Sequence, residues 1–307
     1  MHHPRKSLVA AAFASIYVIW GSTYLAIQIA IESCPPLVMA GFRFLISGLV
    51  VWGVFRVRGT VVTTLKDWRD AAIVGALLLS LGNGGVSFGE QWLPSGTTAL
   101  LIAMVPVWVA LAGWATGISS KPGGRAWAGL ALGITGVCLL FNPFESGGSA
   151  TDRAGFYSIM VAALSWTAGS LYSRKAKSTI PVLLKVAMQM ICGGALLLIM
   201  GGATGEFARF HPSSITHRSL TAFVYLILFG SWLGFTAYVW LLEVCHPAQV
   251  ATYAFVNPVV AVFLGWLIAG EQLTPRTVAA AAVIVCGVCL VVFASPSAPA
   301  RTTTTKA

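Results

Sequence analysis

The chain has 307 residues, of which 57% are hydrophobic and 9% charged. Soluble domains carry roughly 25% charged residues, so a soluble core is excluded and the composition is that of an all-α polytopic membrane protein. The formal net charge of +10 does not point to nucleic acid, because Lys and Arg sit in short breaks between apolar runs and form no basic stripe.

Hydropathy and turn chemistry predict ten transmembrane helices: 8–30, 36–56, 70–89, 95–117, 125–142, 154–173, 180–202, 219–242, 247–269 and 276–295. Each is near the roughly 20 residues that cross the hydrocarbon layer. The first run, from Leu8, is too long for a signal-peptide core and ends in no small-residue cleavage site. It carries Tyr17, Trp20, Tyr24 and Gln28 at spacings of three, four and four, which places them on one helix face. Two roles fit that face: lining a cavity, or helix–helix packing through buried hydrogen bonds.

Pro35-Pro36 separates the first span from the second, which contains Arg43. A charge there costs at least ~2.5 kcal/mol on insertion scales and calls for a partner. Glu32 and Glu90 are the candidates for an ion pair, and a substrate carboxylate is the alternative. In the third span Ser80, Asn83, Ser87 and Gln91 share a helical face, with Gly82, Gly84 and Gly85 allowing close approach. Cavity lining and interhelix bonding both fit. Glu90 and Trp92 lie at the end of that span, where belt, gate and binding roles compete. Pro94-Ser95-Gly96 makes the next break, and Pro106 lies near the centre of the fourth span.

After the break Lys121-Pro122-Gly123-Gly124, the fifth span offers Gly129, Gly133 and Gly136. These suit close packing on another helix, within the chain or in a second copy. The polar stretch NPFESGGSATDR divides the chain near its middle. The sixth span carries Trp166, Ser170 and Ser173, the eighth Trp232, Thr236 and Trp240, and the ninth Gln249, Tyr253, Asn257 and Pro258. Lys185 in the seventh is near enough to an end to snorkel. Pro106 and Pro258 each remove an amide donor and free a carbonyl one turn earlier, near Ile102 and Ala254. Such groups can bind a polar solute or line a water path; a tolerated kink is the alternative. Trp20, Trp166, Trp232 and Tyr253 could form an aromatic cage for a flat or cationic solute, at about 0.5–2 kcal/mol per contact. The six cysteines suggest neither a disulfide framework nor a zinc site. No metal or cofactor is expected.

The chain repeats itself. A shift of 152 superposes Gly82 on Gly234, Pro106-Val107 on Pro258-Val259 and Gly113-Trp114 on Gly265-Trp266, and a shift of 151 superposes Gly136-Val137-Cys138-Leu139 on Gly287-Val288-Cys289-Leu290. The expected organisation is a cytoplasmic N-terminus at 1–7, a first five-helix repeat at 8–142 and a periplasmic linker at 143–153. A second repeat at 154–295 and a disordered cytoplasmic tail at 296–307 complete it. Five is odd, so the second repeat enters the membrane inverted, an arrangement that places a site between the halves near mid-membrane. With both termini in the cytoplasm, thirteen Lys and Arg fall in cytoplasmic segments and four in the opposite ones, as the positive-inside rule requires.

The stretches WGSTYLAIQIA, GFRFLISG, EQWLPSGTTALLIAMVPVWVAL and FVNPVVAVFLGWLIAGEQLTPR resemble the EamA family of the drug/metabolite transporter superfamily. The resemblance covers residues 8 to 295. It implies ten helices in two inverted repeats, a central cavity and export of small metabolites, amino acids among them, with relatives that carry drugs or nucleotide sugars. One departure is clear: Gly270-Glu271 precedes Thr274-Pro275-Arg276, whereas the first repeat reads GISSKPGGR with no acid at that turn.

The function expected is export of small amphipathic metabolites, amino acids or related compounds, across a bacterial inner membrane by alternating access. The proposed substrate-binding set is Trp20, Tyr24, Gln28, Asn83, Ser87, Trp166, Trp232, Tyr253 and Asn257, with Arg43 and Glu90 as charged partners. No span holds a central Asp, Glu or His, which argues for exchange or facilitated diffusion; drug or metabolite export with proton coupling is the alternative. A membrane-embedded enzyme would need acids, bases or ligands converging in one pocket, and the five histidines lie at the N-terminus or in loops. A sensor would be expected to carry a soluble domain. The partners expected are a small-molecule substrate and the lipid bilayer, with no nucleic acid, as monomer or homodimer.

Overall fold

The structure, a computed structural model, describes residues 5–59, 62–140, 150–176, 180–245 and 247–294. The expected tail at 296–307, most of the 143–153 linker and residues 1–4 lie outside the described residues. The described chain is helical and contains no strand. This follows from the solvent: in hydrocarbon each backbone amide must be paired inside its own segment.

Ten apolar helices follow one another. They are α1 (Lys6–Ile31), α2 (Pro36–Val57), α3 (Leu65–Gly89), α4 (Ser95–Ala115) and α5 (Gly124–Leu140). The second half holds α6 (Ala150–Lys175) and α7 (Val182–Ala203). It continues with α8 (His217–Tyr225, Leu226–Leu233 and Gly234–Val244), α9 (Pro247–Val250 and Tyr253–Ala269) and α10 (Pro275–Ala294). α5 and the main segment of α9 are shorter than the rest, at 17 residues each.

Sequence chemistry starts these helices in three ways. Pro36 occupies the first turn of α2, where a missing amide costs nothing. Thr64 and Asp67 form a reciprocal capping box on α3. The first turns of α2 and α4 are capped from elsewhere in the chain. Glu206 Oε2 accepts from Leu37 N at 2.9 Å and Val38 N at 3.0 Å. Glu271 accepts from Ser95 N at 2.7 Å, Ser95 Oγ at 2.6 Å and Gly96 N at 3.1 Å.

The packing obeys a pseudo-twofold. α2 packs on α7 and α5 on α10, each helix against its own repeat mate; α1 packs on α8 and α9, and its mate α6 packs on α3 and α4. Glycines set the two mate contacts. A Cβ on Gly129 would lie 2.5 Å from Gly287 O, one on Gly287 would lie 2.6 Å from Gly129 O, and one on Gly194 would lie 2.5 Å from Leu45 N. The glycines of α5 therefore meet a helix of the same chain: Gly129 and Gly136 meet α10, and Gly133 meets Met104 of α4.

Two local features depart from the sequence reading. First, Gly75–Asn83 of α3 and Leu226–Leu233 of α8 are π-helical. They begin 151 residues apart, so both repeats carry the same irregularity. Second, the two prolines differ. α4 breaks at Ala103–Met104 and Pro106 lies in the first turn of the following segment, whereas Pro258 sits inside a continuous helix whose break comes earlier, at Ala251–Thr252. Pro106 is thus not a mid-helix kink, because the chain has already left the helix before it.

Candidate functional site: the α1 face and its buried charges

The polar, aromatic face of α1 turns into the bundle. The Trp20 ring centroid lies 5.4 Å from Phe235, 5.1 Å from Tyr238 and 5.2 Å from Tyr253. Tyr238 and Tyr253 lie edge to face at 5.9 Å. The Trp20 indole donates to Gly230 O at 3.3 Å, and the Tyr17 hydroxyl bonds Thr252 Oγ1. A first-repeat helix and two second-repeat helices thus share one aromatic group. Below it Gly21 lets α9 approach: a Cβ there would lie 2.6 Å from Val260 Cβ and 3.2 Å from Asn257 O. Asn257 is buried, and its Oδ1 has no hydrogen-bond partner. In this conformation the rings close on one another.

The structure brings Trp20, Tyr253 and Asn257 together and sends two other predicted residues elsewhere. Trp232 donates to Ser47 O of α2 at 3.3 Å. Trp166 lies against Gly82 of α3, where a Cβ would come within 2.9 Å of the indole. Neither makes a ring contact with the Trp20 group among the described residues. Phe235 and Tyr238 take those places. The π-helical stretch ending at Leu233 shifts the residues beyond it, Phe235 and Tyr238 among them, relative to an α-helical wheel. The signal available was the sequence pair Phe235 and Tyr238 at a spacing of three.

The polar face of α3, which carries its own π-helical stretch, is split. Ser80 Oγ donates to Gly193 O of α7 at 2.9 Å, joining helices. Asn83 Nδ2 donates to Leu78 O at 3.4 Å, within its own helix. Exposed Gln91 folds back on Phe88 O. Ser87, 1% exposed, has no partner for its hydroxyl.

Arg43 is 4% exposed. Its Nε donates to Ser231 Oγ at 3.2 Å and its guanidinium lies 4.7 Å from the Phe44 ring centroid. Gly230 makes room for it, as a Cβ there would sit 3.0 Å from Nη2. The expected ion pairs do not form. Glu32 faces Arg218 instead, at 3.5 Å on the exposed surface, because it lies beyond the end of α1 while Arg43 points into the bundle. Glu90 is 3% exposed and neither of its oxygens has a partner. Among the described residues no carboxylate lies within ion-pair distance of Arg43. A cation held by a hydroxyl and a ring keeps most of its capacity to attract an anion. No three His, Cys, Asp or Glu side chains of the described residues come together as metal ligands would.

The turns that close α4 and α9 match in backbone and differ in side chain. Ser119 N donates to Gly113 O at 3.0 Å and Glu271 N donates to Gly265 O at 3.1 Å, at positions 152 apart. The capping carboxylate exists in one copy only.

The model of the EamA-like transporter family matches this chain twice, over residues 7–142 and 153–293. The chain belongs to the EamA-like transporter family. Two matches in one chain agree with the pseudo-twofold seen in the packing, and membership makes this a membrane transporter. An uncharacterized inner membrane transporter of Escherichia coli strain K12, YedA, is 38% identical over 297 residues, covering 96% of this chain and 93% of its own. A probable amino-acid metabolite efflux pump of Salmonella typhimurium strain LT2 is 26% identical, with 91% and 92% covered. A solved crystal structure aligns over 94% of this chain and 98% of its own with a TM-score of 0.63 at 20% identity, a likeness of fold.

Proposed function

We propose that this EamA-family chain exports small amphipathic metabolites, amino acids or related compounds, across a bacterial inner membrane by alternating access. The observation that carries this reading is the Trp20 group: one ring of the first repeat held by rings of α8 and α9 of the second, beside the unpaired Asn257 Oδ1. A site built from both inverted halves is opened or closed when the halves move relative to each other. Tyr238 and Tyr253 supply flat apolar surface with polar tips, Asn257 an amide, and Arg43 a cation for a carboxylate. The name of the Salmonella relative supports the substrate class, and the name of the E. coli relative supports the inner membrane. The thirteen-to-four distribution of Lys and Arg supports cytoplasmic termini.

The test is counterflow in proteoliposomes. Vesicles loaded with an unlabelled solute mixture are offered labelled amino acids one at a time, without an ion gradient. Wild-type protein is expected to accumulate label. Trp20→Ala and Asn257→Ala are each expected to cut initial uptake by roughly ten-fold or more, as removal of a buried contact worth about 1.4 kcal/mol or above would. Both variants should keep the wild-type elution volume in detergent. Normal uptake by both would remove the Trp20 group from the transport path.

A further inference from the structure

Beyond the aromatic group, a second set of buried polar atoms lies on three packed helices, near the ends of α1 and α3 and the start of α4. Glu90 is 3% exposed and Ser87 1%, three residues apart on one face of α3; Thr98 of α4 is fully buried. Both Glu90 oxygens, Ser87 Oγ, Thr98 Oγ1 and Gln28 Oε1 of α1 lack any partner. Gln28 stands one helical turn beyond Tyr24, which packs against the core cluster that α1 shares with α3 and α4. α1 packs on both α3 and α4 here, and Ala26, Ile27 and Ala30 share a core cluster with Val86, Leu93 and Leu101.

The set is rich in acceptors. A carboxylate and an amide oxygen only accept, and each hydroxyl accepts as well as carrying one proton to donate. Glu271 does not relieve Glu90: a carboxylate brings no donor, and its oxygens are occupied by the three donors of the α4 first turn. An uncompensated carboxylate among unpaired acceptors is complemented by a group that brings positive charge and several donors at once. A proton supplies one O–H and leaves the other acceptors as they were. An ammonium supplies three N–H donors in tetrahedral array together with the charge.

We propose that α1, α3 and α4 form a subsite for a protonated primary amine, with Glu90 as its counter-ion and Gln28, Ser87 and Thr98 as acceptors. The inference deepens the transport reading by naming the solute group that this end of the bundle takes. Arg43, which donates to Ser231 of α8, is not part of it.

The test uses the purified full-length protein in detergent and reads thermal unfolding. The probes are phenethylammonium chloride and 2-phenylethanol, which share a ring and chain length and differ in the charged head. The amine is expected to raise the unfolding midpoint of the wild type in a saturable way, as a ligand of the native state does, and the alcohol is not. Glu90→Gln, nearly isosteric and neutral, should abolish the amine's effect. Thr98→Val should weaken the apparent affinity by roughly three- to ten-fold, the loss of one hydrogen bond. Equal effects of amine and alcohol, or an amine effect surviving in Glu90→Gln, would overturn the proposal. So would acidification alone raising the wild-type midpoint as far as the amine does, since the occupant would then be a proton. Should Glu90→Gln not fold, Thr98→Val and Gln28→Met decide in its place. The readout needs no transport, so an amine effect without counterflow sinks the exporter reading alone, and counterflow without an amine effect sinks the subsite alone.

Discussion

Glu206 and Glu271 each follow a glycine in the left-handed region, Gly205 at φ 72° and Gly270 at φ 69°, and each caps a helix of the first repeat. A positive φ is what turns the chain sharply enough to aim the next side chain back at the bundle. These caps are strong because a carboxylate meets the positive end of a helix. Burial nevertheless pushes the Glu206 carboxyl upward, against the lowering effect of its two backbone donors and of Arg209. Cys34, in the turn between α1 and α2, is pushed up to about 11 by burial and then by the charge of Glu206. The reactive thiolate is therefore scarce at neutral pH and appears only as pH rises toward that value. Iodoacetamide at pH 7.5 is expected to modify the Cys34 peptide at least roughly ten-fold more slowly than an unperturbed thiol. Mass spectrometry of the peptide across a pH series checks this, and a rate that levels off below pH 9 would contradict it.

Elements are where periodicity and packing diverge. The spacings of the polar residues on α3 and of Trp232, Thr236 and Trp240 on α8 presume an α-helical wheel, and both helices contain π-helical stretches that the wheel does not represent. Apolar composition does not distinguish the two helical forms, so the spacing of Phe235 and Tyr238 offered an aromatic pair but not the direction in which it faces. The glycine pattern of α5 was legible as a close contact but not as a choice of partner. Geometry makes that contact severe: Gly129 and Gly287 each place a carbonyl where the other's side chain would go. Gly287→Leu is expected to force α5 and α10 apart and to destabilise the protein by roughly 1–3 kcal/mol or more, the cost of overpacking. Gly53→Ala is the control, since a Cβ there meets nothing within 4 Å; it should be neutral or stabilising by about 0.5–1 kcal/mol. Unfolding midpoints in one detergent compare them, and equal losses would show that helix flexibility, not contact, governs both positions.

For the molecule as a whole, the pseudo-twofold means that each contact of one repeat has a counterpart in the other, and departures stand out. Ser119 in place of Glu271 is one, and the helix breaks around Pro106 and Pro258 are another. The two halves are thus related without being interchangeable, and the exceptions gather on α4 and α9. Ten crossings, an even number, would put both chain ends on one side, and the Lys and Arg distribution favours the cytoplasm. A fluorescent protein fused after Ala307 is therefore expected to mature in the bacterial cytoplasm, and alkaline phosphatase at the same place to be inactive. The opposite pattern would invert the whole topology.

Helix number and membrane residence were determined by the sequence alone, because they rest on hydrophobic length and breaker residues, both local along the chain. So was the α1 face, since α1 is helical without interruption from Lys6 to Ile31 and its wheel is valid. Only the tertiary structure decided what that face meets. Trp20 found Phe235 and Tyr238, and Asn257 came to α1 through Gly21. Arg43 found Ser231 in place of a carboxylate, and Glu90 was left without a partner. These outcomes depend on the π-helical register shifts and on which helices pair across the pseudo-twofold. Both are settled by the fit of glycines against backbone between residues more than a hundred positions apart, a quantity that no local window contains.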